Sequence, residues 1–175
     1  MSPGPTTPSA GTGLLVRRAA PSDVPAIVRL VNAWAAIGRM LPRDEGEVAR
    51  TIGDFFVAVE GGEAIGCGAL AFYGHDLAEV RSLAARTDRQ ARGVGTALVR
   101  ALLAEADAYE IPSVICFTYV PDFFARFGFR VVRAEDLPRK AWTDCVKCPK
   151  RNFCDEVAME RALPEETAAG GSSDL

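Results

Sequence analysis

The spacing of apolar positions changes period along this chain, and each change predicts an element. Leu14, Leu15 and Val16 lead into a short strand that ends at Arg17. Ser22 or Asp23 then caps a helix on which Ile27, Leu30, Val31 and Trp34 recur at helical spacing. Gly38 to Arg43 is a loop, and Glu45 to Ile52 a second, short helix. Phe55 to Val59 reads as a strand, Gly61-Gly62 as a hairpin turn, and Ala64 to Tyr73 as the returning partner. Leu77 to Ala85 is another strand. The clearest helix runs from Val94 to Tyr109, because Val94, Ala97, Leu98, Ala101, Leu102 and Leu103 mark one apolar face. After Pro112, Ser113 to Thr118 has the continuous apolar character of a buried strand. Pro121 opens and Gly128 stops a short helix. Arg130 to Arg133 and Val157 to Arg161 are the last strands. The order, with a helix crossing between two parallel neighbours, predicts an α/β protein whose sheet is mixed rather than fully parallel.

Periodicity is confined to about 14–163. The flanking stretches 1–13 and 164–175 are built of Pro, Gly, Ser, Thr, Ala and Glu without apolar period, and read as mobile tails. A chain of 175 residues suits one domain. Hydrophobic residues at 49% and charged residues at 25% exclude a disordered chain, a collagen and a coiled coil. No apolar run reaches the roughly 18 residues of a membrane span, and the N-terminus lacks the basic and apolar regions of a secretory signal. The expected setting is therefore the cytoplasm, without a membrane partner. Lys+Arg 20 against Asp+Glu 23 gives a formal charge of −3, which does not suggest a nucleic-acid partner.

The strand ending at Ala85 is followed by Gln90-Ala91-Arg92-Gly93-Val94-Gly95-Thr96, which opens the longest helix. Glycine here lets a backbone approach an anion closely, and the free N–H groups and dipole of a helix start favour phosphate. A tight strand-to-helix turn would use the same residues. The loop is neither a P-loop, which needs Gly-Lys-Ser/Thr, nor a dinucleotide fingerprint, since Leu98 stands where the third Gly belongs. The pattern Gln/Arg-x-x-Gly-x-Gly/Ala between strand and helix resembles motif A of the GNAT acetyltransferases. Phe123-Phe124-Ala125-Arg126-Phe127-Gly128-Phe129 resembles that superfamily's "FYerlGF" segment, and the element order matches nearly all of 14–163. The resemblance implies a GNAT fold, a central mixed sheet with splayed parallel strands flanked by helices, and acetyl-CoA as cosubstrate. Its pyrophosphate would lie on the loop Gln90, Ala91, Arg92, Gly93, Val94, Gly95 and Thr96. Its pantetheine would lie between the ends of Leu83-Ala84-Ala85 and Phe117-Thr118, near Phe124. A backbone N–H near Leu83 or Ala84 would polarise the thioester carbonyl. Members often pair through sheet edges, so a homodimer is among the assemblies it implies.

Four segments carry a narrower resemblance, to N-acetylglutamate synthases. Glu79-Val80-Arg81-Ser82-Leu83-Ala84 resembles their Glu-x-x-x-Leu/Val-Ala strand, and Gly38-Arg39-Met40-Leu41-Pro42-Arg43 their "GILVRR" loop. Phe117-Thr118 resembles their "LTT" strand end, and Leu137-Pro138 their "LLP" turn. This implies transfer of acetyl to the α-amine of an amino acid, L-glutamate first, at the head of arginine synthesis. The other amines open to the fold are a protein N-terminus, a lysine or a polyamine. A non-catalytic acetyl-CoA-binding module is the alternative of another class. An amino acid arrives as an ammonium ion and must lose a proton before it attacks, which a carboxylate at the cleft can accept. Glu79 is the candidate base, or else a strand-edge Glu that is solvated or paired with Arg81. Arg holds carboxylates bidentately, so Arg43 is the first candidate clamp, with a surface Arg as the alternative. Lys150 or Arg151 is the second candidate. Many GNATs place a Tyr acid four residues before the Gly of the "GF" pair; that place is Phe124 here. Thr118 is left to donate to the sulfur, or the thiolate leaves unprotonated, which a thiol pKa near 8.5 tolerates.

Cys67 and Cys116 fall in strand patterns and read as small buried apolar residues. Cys145-Val146-Lys147-Cys148 with Cys154 spells C-x2-C-x5-C within the segment 145–154. A structural zinc, a redox pair and free thiols are all open there; zinc normally takes four ligands and three Cys are in view. Trp34 and Trp142 read as packing residues.

Overall fold

In a computed structural model, the structure describes residues 13–137, 145–150 and 152–163, with the backbone alone of 90 and 91. Two sections with predictions attached, the tails 1–12 and 164–175, lie outside the described residues, as do Pro138, Trp142 and Arg151. Seven strands form one sheet in the order β1-β2-β3-β4-β5-β7-β6. β1 is Leu15–Arg18, β2 Phe55–Glu60, β3 Glu63–Phe72, β4 Leu77–Ala85, β5 Ser113–Thr118, β6 Arg130–Val131 and β7 Val157–Ala162. The helices are α1 Val24–Ala35, α2 Glu45–Arg50, α3 Val94–Ala108 and α4 Pro121–Ala125. β4 and β5 are parallel; every other pair is antiparallel. That single parallel pair requires a crossover, and α3 is the element that makes it.

Helices cover both faces. α3 lays Val99, Leu102 and Ala106 on one face of the sheet against Leu70, Ala78 and Val80, and Leu98 against Ala58 and Ile65, all of them buried. On the opposite face α1 buries Ile27 and Val31 against Val57, Cys67, Ala69 and Ala84. Two strand glycines set how close α3 comes. A Cβ on Gly66 would meet Val94 Cγ1 at 2.6 Å, and one on Gly68 would meet Leu102 Cδ1 at 3.0 Å. The helix start that carries the glycine loop is thus seated directly on β3.

The predicted elements are present, with changed ends. The strand predicted over 130–133 spans two residues, and the short helix after Pro121 stops at Ala125. Asp23 occupies the predicted cap position but does not cap α1 by its side chain. Its carboxylate instead accepts from Ala20 N–H at 2.7 Å and from both terminal nitrogens of Arg17, at 2.7 and 3.0 Å. The Arg17 guanidinium holds the Asp23 carboxyl below its ordinary value, with the Ala20 N–H adding to the effect against burial. A nearby strong cation outbids a helix N–H for a carboxylate.

Candidate active site

The site begins where two parallel strands stop pairing. β4 and β5 are in register at Leu77–Ser113, Ala78–Val114 and Glu79–Ile115, and at no later pair, although both strands continue. The cause lies on the other edge of β4. Opposite β3 the register shifts between Cys67 and Ala69, so that Ser82 and Leu83 together oppose Gly68. Ser82 takes φ +52°, a left-handed conformation at a non-glycine residue. Such a bulge bends its strand and re-aims the following N–H groups. β5 meanwhile stays paired along its whole length with β7, so the gap opens on the β4 side.

A cavity of about 750 Å³ fills that gap. β4 supplies Glu79 to Ala85, β5 supplies Phe117 and Thr118, and Gly95, Phe123 and Phe124 close it from the α3 side. The loop after α1 adds Arg39, Met40, Leu41 and Arg43. Of the sequence-predicted residues, Glu79, Leu83, Ala84, Ala85, Gly95, Thr118, Phe124 and Arg43 are therefore together on one cavity. Gly93 and Thr96 stand at the entry of α3 and do not line it. Val94 is core, 1% exposed, so its N–H is what it can offer a ligand. Arg92 points away to Glu60 at 3.8 Å.

The glycine loop is held from below by charge. Arg89 meets Glu60 at 2.8 Å and Arg86 meets Glu63 at 2.9 Å, tying the loop to the β2–β3 hairpin. Gly93 then turns the chain at φ +78°, and no side chain caps α3. The first-turn N–H groups of a 15-residue helix are left for another acceptor. With the bulge and the adjoining cleft, these features fit an anionic, extended cosubstrate.

Glu79 is 2% exposed yet lines the cavity. Tyr73, at the end of the β3–β4 hairpin, donates its hydroxyl to Glu79 Oε2. Thr118 is 5% exposed, and its Oγ1 accepts from Val120 N–H at 2.9 Å, which leaves the hydroxyl proton to be donated elsewhere. Phe124 packs edge-on against Phe123 and Phe129. Tyr119 lines the cavity, but its hydroxyl donates to Asp155 at 2.8 Å, and burial pushes that phenol up.

Arg43 is fixed by its own backbone. Asn32 on α1 accepts from Arg43 N–H and donates to Arg43 C=O, both at 2.9 Å. Two residues on, Trp34 Nε1 donates to Ala85 C=O at 2.9 Å. Lys150 is not on the cavity wall: it bonds the Tyr119 hydroxyl at 2.8 Å, Asp155 at 3.3 Å and Gly38 C=O at 3.4 Å. It straps the C-terminal segment to the loop after α1. Sequence reasoning missed four contributors: Tyr73, Asn32, the hydrogen-bonding role of Trp34, and Arg81, which lines the cavity beside Arg43. Alternation along β4 was the signal for Arg81, since Ala78 and Val80 face α3 and 79 and 81 must face away.

Among the described residues, Cys145, Cys148 and Cys154 included, no group of three or more His, Cys, Asp or Glu side chains is placed to hold an ion, and none of the three cysteines is in a disulfide. Residues this close in sequence still need backbone that turns all three thiols inward. Burial pushes the Cys67 thiol up to about 12 and raises Cys116 as well, so both stay protonated.

The fold and cleft define an acyltransferase of the GNAT class. Residues 51–131 match the family described as acetyltransferase (GNAT) domain. An N-acetyltransferase of Chlorobaculum tepidum is 40% identical over 148 residues, 85% of this chain and 96% of its own length. An amino-acid acetyltransferase of Mycobacterium tuberculosis is 37% identical over 134 residues, 74% of this chain and 76% of its own. A Mycobacterium tuberculosis protein solved in complex with CoA superposes with a TM-score of 0.74 at 31% identity, over 85% of this chain and 99% of that one. N-acetylglutamate synthase from Neisseria gonorrhoeae, complexed with coenzyme A and N-acetyl-glutamate, also gives 0.74, at 23% identity and over 86% of this chain but 35% of that one; that likeness is of fold. The chain belongs to the GNAT acetyltransferase family. It is an acetyl-CoA-dependent acetyltransferase with amino-acid acetyltransferases among its homologues. None of its described helices is long and apolar enough to cross a membrane.

Proposed function

We propose that the protein transfers acetyl from acetyl-CoA to the α-amine of an amino acid, L-glutamate first, as a step of arginine synthesis in the cytoplasm. The observation that carries the reading is a buried carboxylate, Glu79, placed where β4 and β5 part and sharing one cavity with Arg43. Glu79 accepts a proton from the α-ammonium. The neutral nitrogen attacks the thioester carbon, the C–N bond forms, and the C–S bond breaks with CoA leaving as the thiolate. The N–H groups beyond the bulge, at Leu83 and Ala84, donate to the carbonyl oxygen as its charge grows. The pyrophosphate rests on the loop Gln90 to Thr96, and Arg43 takes a carboxylate of the acceptor. Thr118, on the cavity wall at the end of β5, donates to the departing sulfur or the thiolate leaves unprotonated, and no tyrosine acid is needed.

The test is CoA release over a panel of amino acids, a peptide N-terminus, lysine and a polyamine, with Glu79→Gln beside the wild type. Glutamate turnover that is lost in Glu79→Gln while acetyl-CoA still binds supports the reading. Turnover of polyamines or peptides without turnover of any amino acid overturns it. Tight acetyl-CoA binding with no turnover of any amine would mark a sensor rather than an enzyme.

A further inference from the structure

Arg43 and Arg81 lie between two cavities. The second, of about 170 Å³, shares Arg43, Arg81 and Ser82 with the main one and adds Arg50, Glu47 and Phe55 among its walls. Three of its charged lining residues are Arg and one is Glu. Asp54, off the wall, feels the charge of Arg81, which pulls its carboxyl down against the rise that burial causes. On the walls of this small cavity guanidiniums outnumber carboxylates, and Arg43 and Arg81 are the two that also face the main one. The small cavity has room for several waters.

Placement says which carboxylate. Arg81 is two residues from Glu79 on β4, on the same face, and same-face neighbours on a strand stand about 7 Å apart. It directly precedes the bulge at Ser82 and Leu83, and both of those residues line the main cavity. An acceptor amine delivered to Glu79 and to that bulge has its α-carboxylate one carbon away, within about 3 Å of the nitrogen. Its side chain is free to point elsewhere. We infer that Arg81 is a specificity-determining residue that, with Arg43, clamps the α-carboxylate of the acceptor. The inference rests on the reading that the acceptor is an amino acid with its amine at Glu79. It goes further in making the α-carboxylate, not the side chain, the group that β4 recognises.

The test uses three acceptors of nearly one shape: glutamate, its α-amide isoglutamine, and its side-chain amide glutamine. Wild type is expected to prefer glutamate to isoglutamine by about a hundred-fold in kcat/KM. Arg81→Gln is expected to bring that ratio near one, through KM, while the glutamate-to-glutamine ratio stays as it was. Arg81→Lys, which keeps the charge and loses the fork, is expected to fall between them. Collapse of the glutamate-to-glutamine ratio instead would give Arg81 the side chain and overturn the assignment. Equal losses on all three acceptors, in a variant that binds acetyl-CoA normally by calorimetry, also overturn it and leave the amino-acid reading standing. A wild type that takes isoglutamine as well as glutamate overturns it without any variant. Wild type inactive on every amino acid, yet active on another amine, sinks the underlying reading itself.

Discussion

The two ends of the cleft are made differently. The end proposed for acetyl-CoA is made of backbone: a bulge, two strands that part, and an uncapped helix start seated on glycines. The end proposed for the acceptor is made of side chains brought from β4, from the loop after α1 and from the hairpin tip: Glu79, Arg81, Arg43 and Tyr73. Backbone features tolerate many side chains and depend on packing. Side-chain features depend on identity and on whatever holds each group still. Substitutions at the two ends should therefore separate in what they change.

Glu79→Gln removes the proposed base and keeps the shape. Its kcat should fall by about 10²- to 10⁴-fold, with acetyl-CoA affinity within two-fold of wild type by calorimetry. Weakened acetyl-CoA binding would erase the distinction between the ends. Gly66→Ala acts on the other side. Its Cβ would press on Val94 Cγ1, so we expect about 1–3 kcal/mol lost in urea unfolding and a weaker Kd for acetyl-CoA. Asn32→Ala cuts both bonds to the Arg43 backbone. The acceptor KM should rise about thirty-fold, at about 1 kcal/mol for each net hydrogen bond, with little change in the KM for acetyl-CoA.

A control belongs outside both ends. Asp23→Asn should cost about 1 kcal/mol at neutral pH by loss of the Arg17 contact. Because the folded-state value of Asp23 is lowered, its contribution is present above its ordinary value of 3.8. It fades as pH falls through 3.8 toward the lowered value. The Tm gap between wild type and Asp23→Asn should hold at pH 7 and narrow below pH ~4. Trp34→Phe, which removes one donor to Ala85, should raise the acetyl-CoA KM by no more than about five-fold.

The same division explains what could be read from the chain. Strands β4 and β5 carry runs whose ends the apolar pattern marks residue for residue, and the glycines of the loop announce themselves by type. The acetyl-CoA end was legible for that reason. Glu79 and Arg43 were reachable by resemblance, since both lie in recognisable segments. Tyr73 and Asn32 were not, because each acts on a residue brought near only by the hairpin or the helix–loop turn. Arg81 was named only as an alternative partner for Glu79, and its place on the walls of two cavities was not read from the chain. The cysteine spacing left zinc, a redox pair and free thiols open, because three thiols near in sequence do not by themselves converge in space.

Helix α1 holds the acceptor loop by Asn32 and the end of β4 by Trp34, two residues apart on one rigid rod. The rod acts as a gauge between the two substrates. A β-amino homologue, its nitrogen one methylene too far from the carboxylate, would be held by the loop with its amine out of registration with the thioester, and would block the enzyme without being consumed.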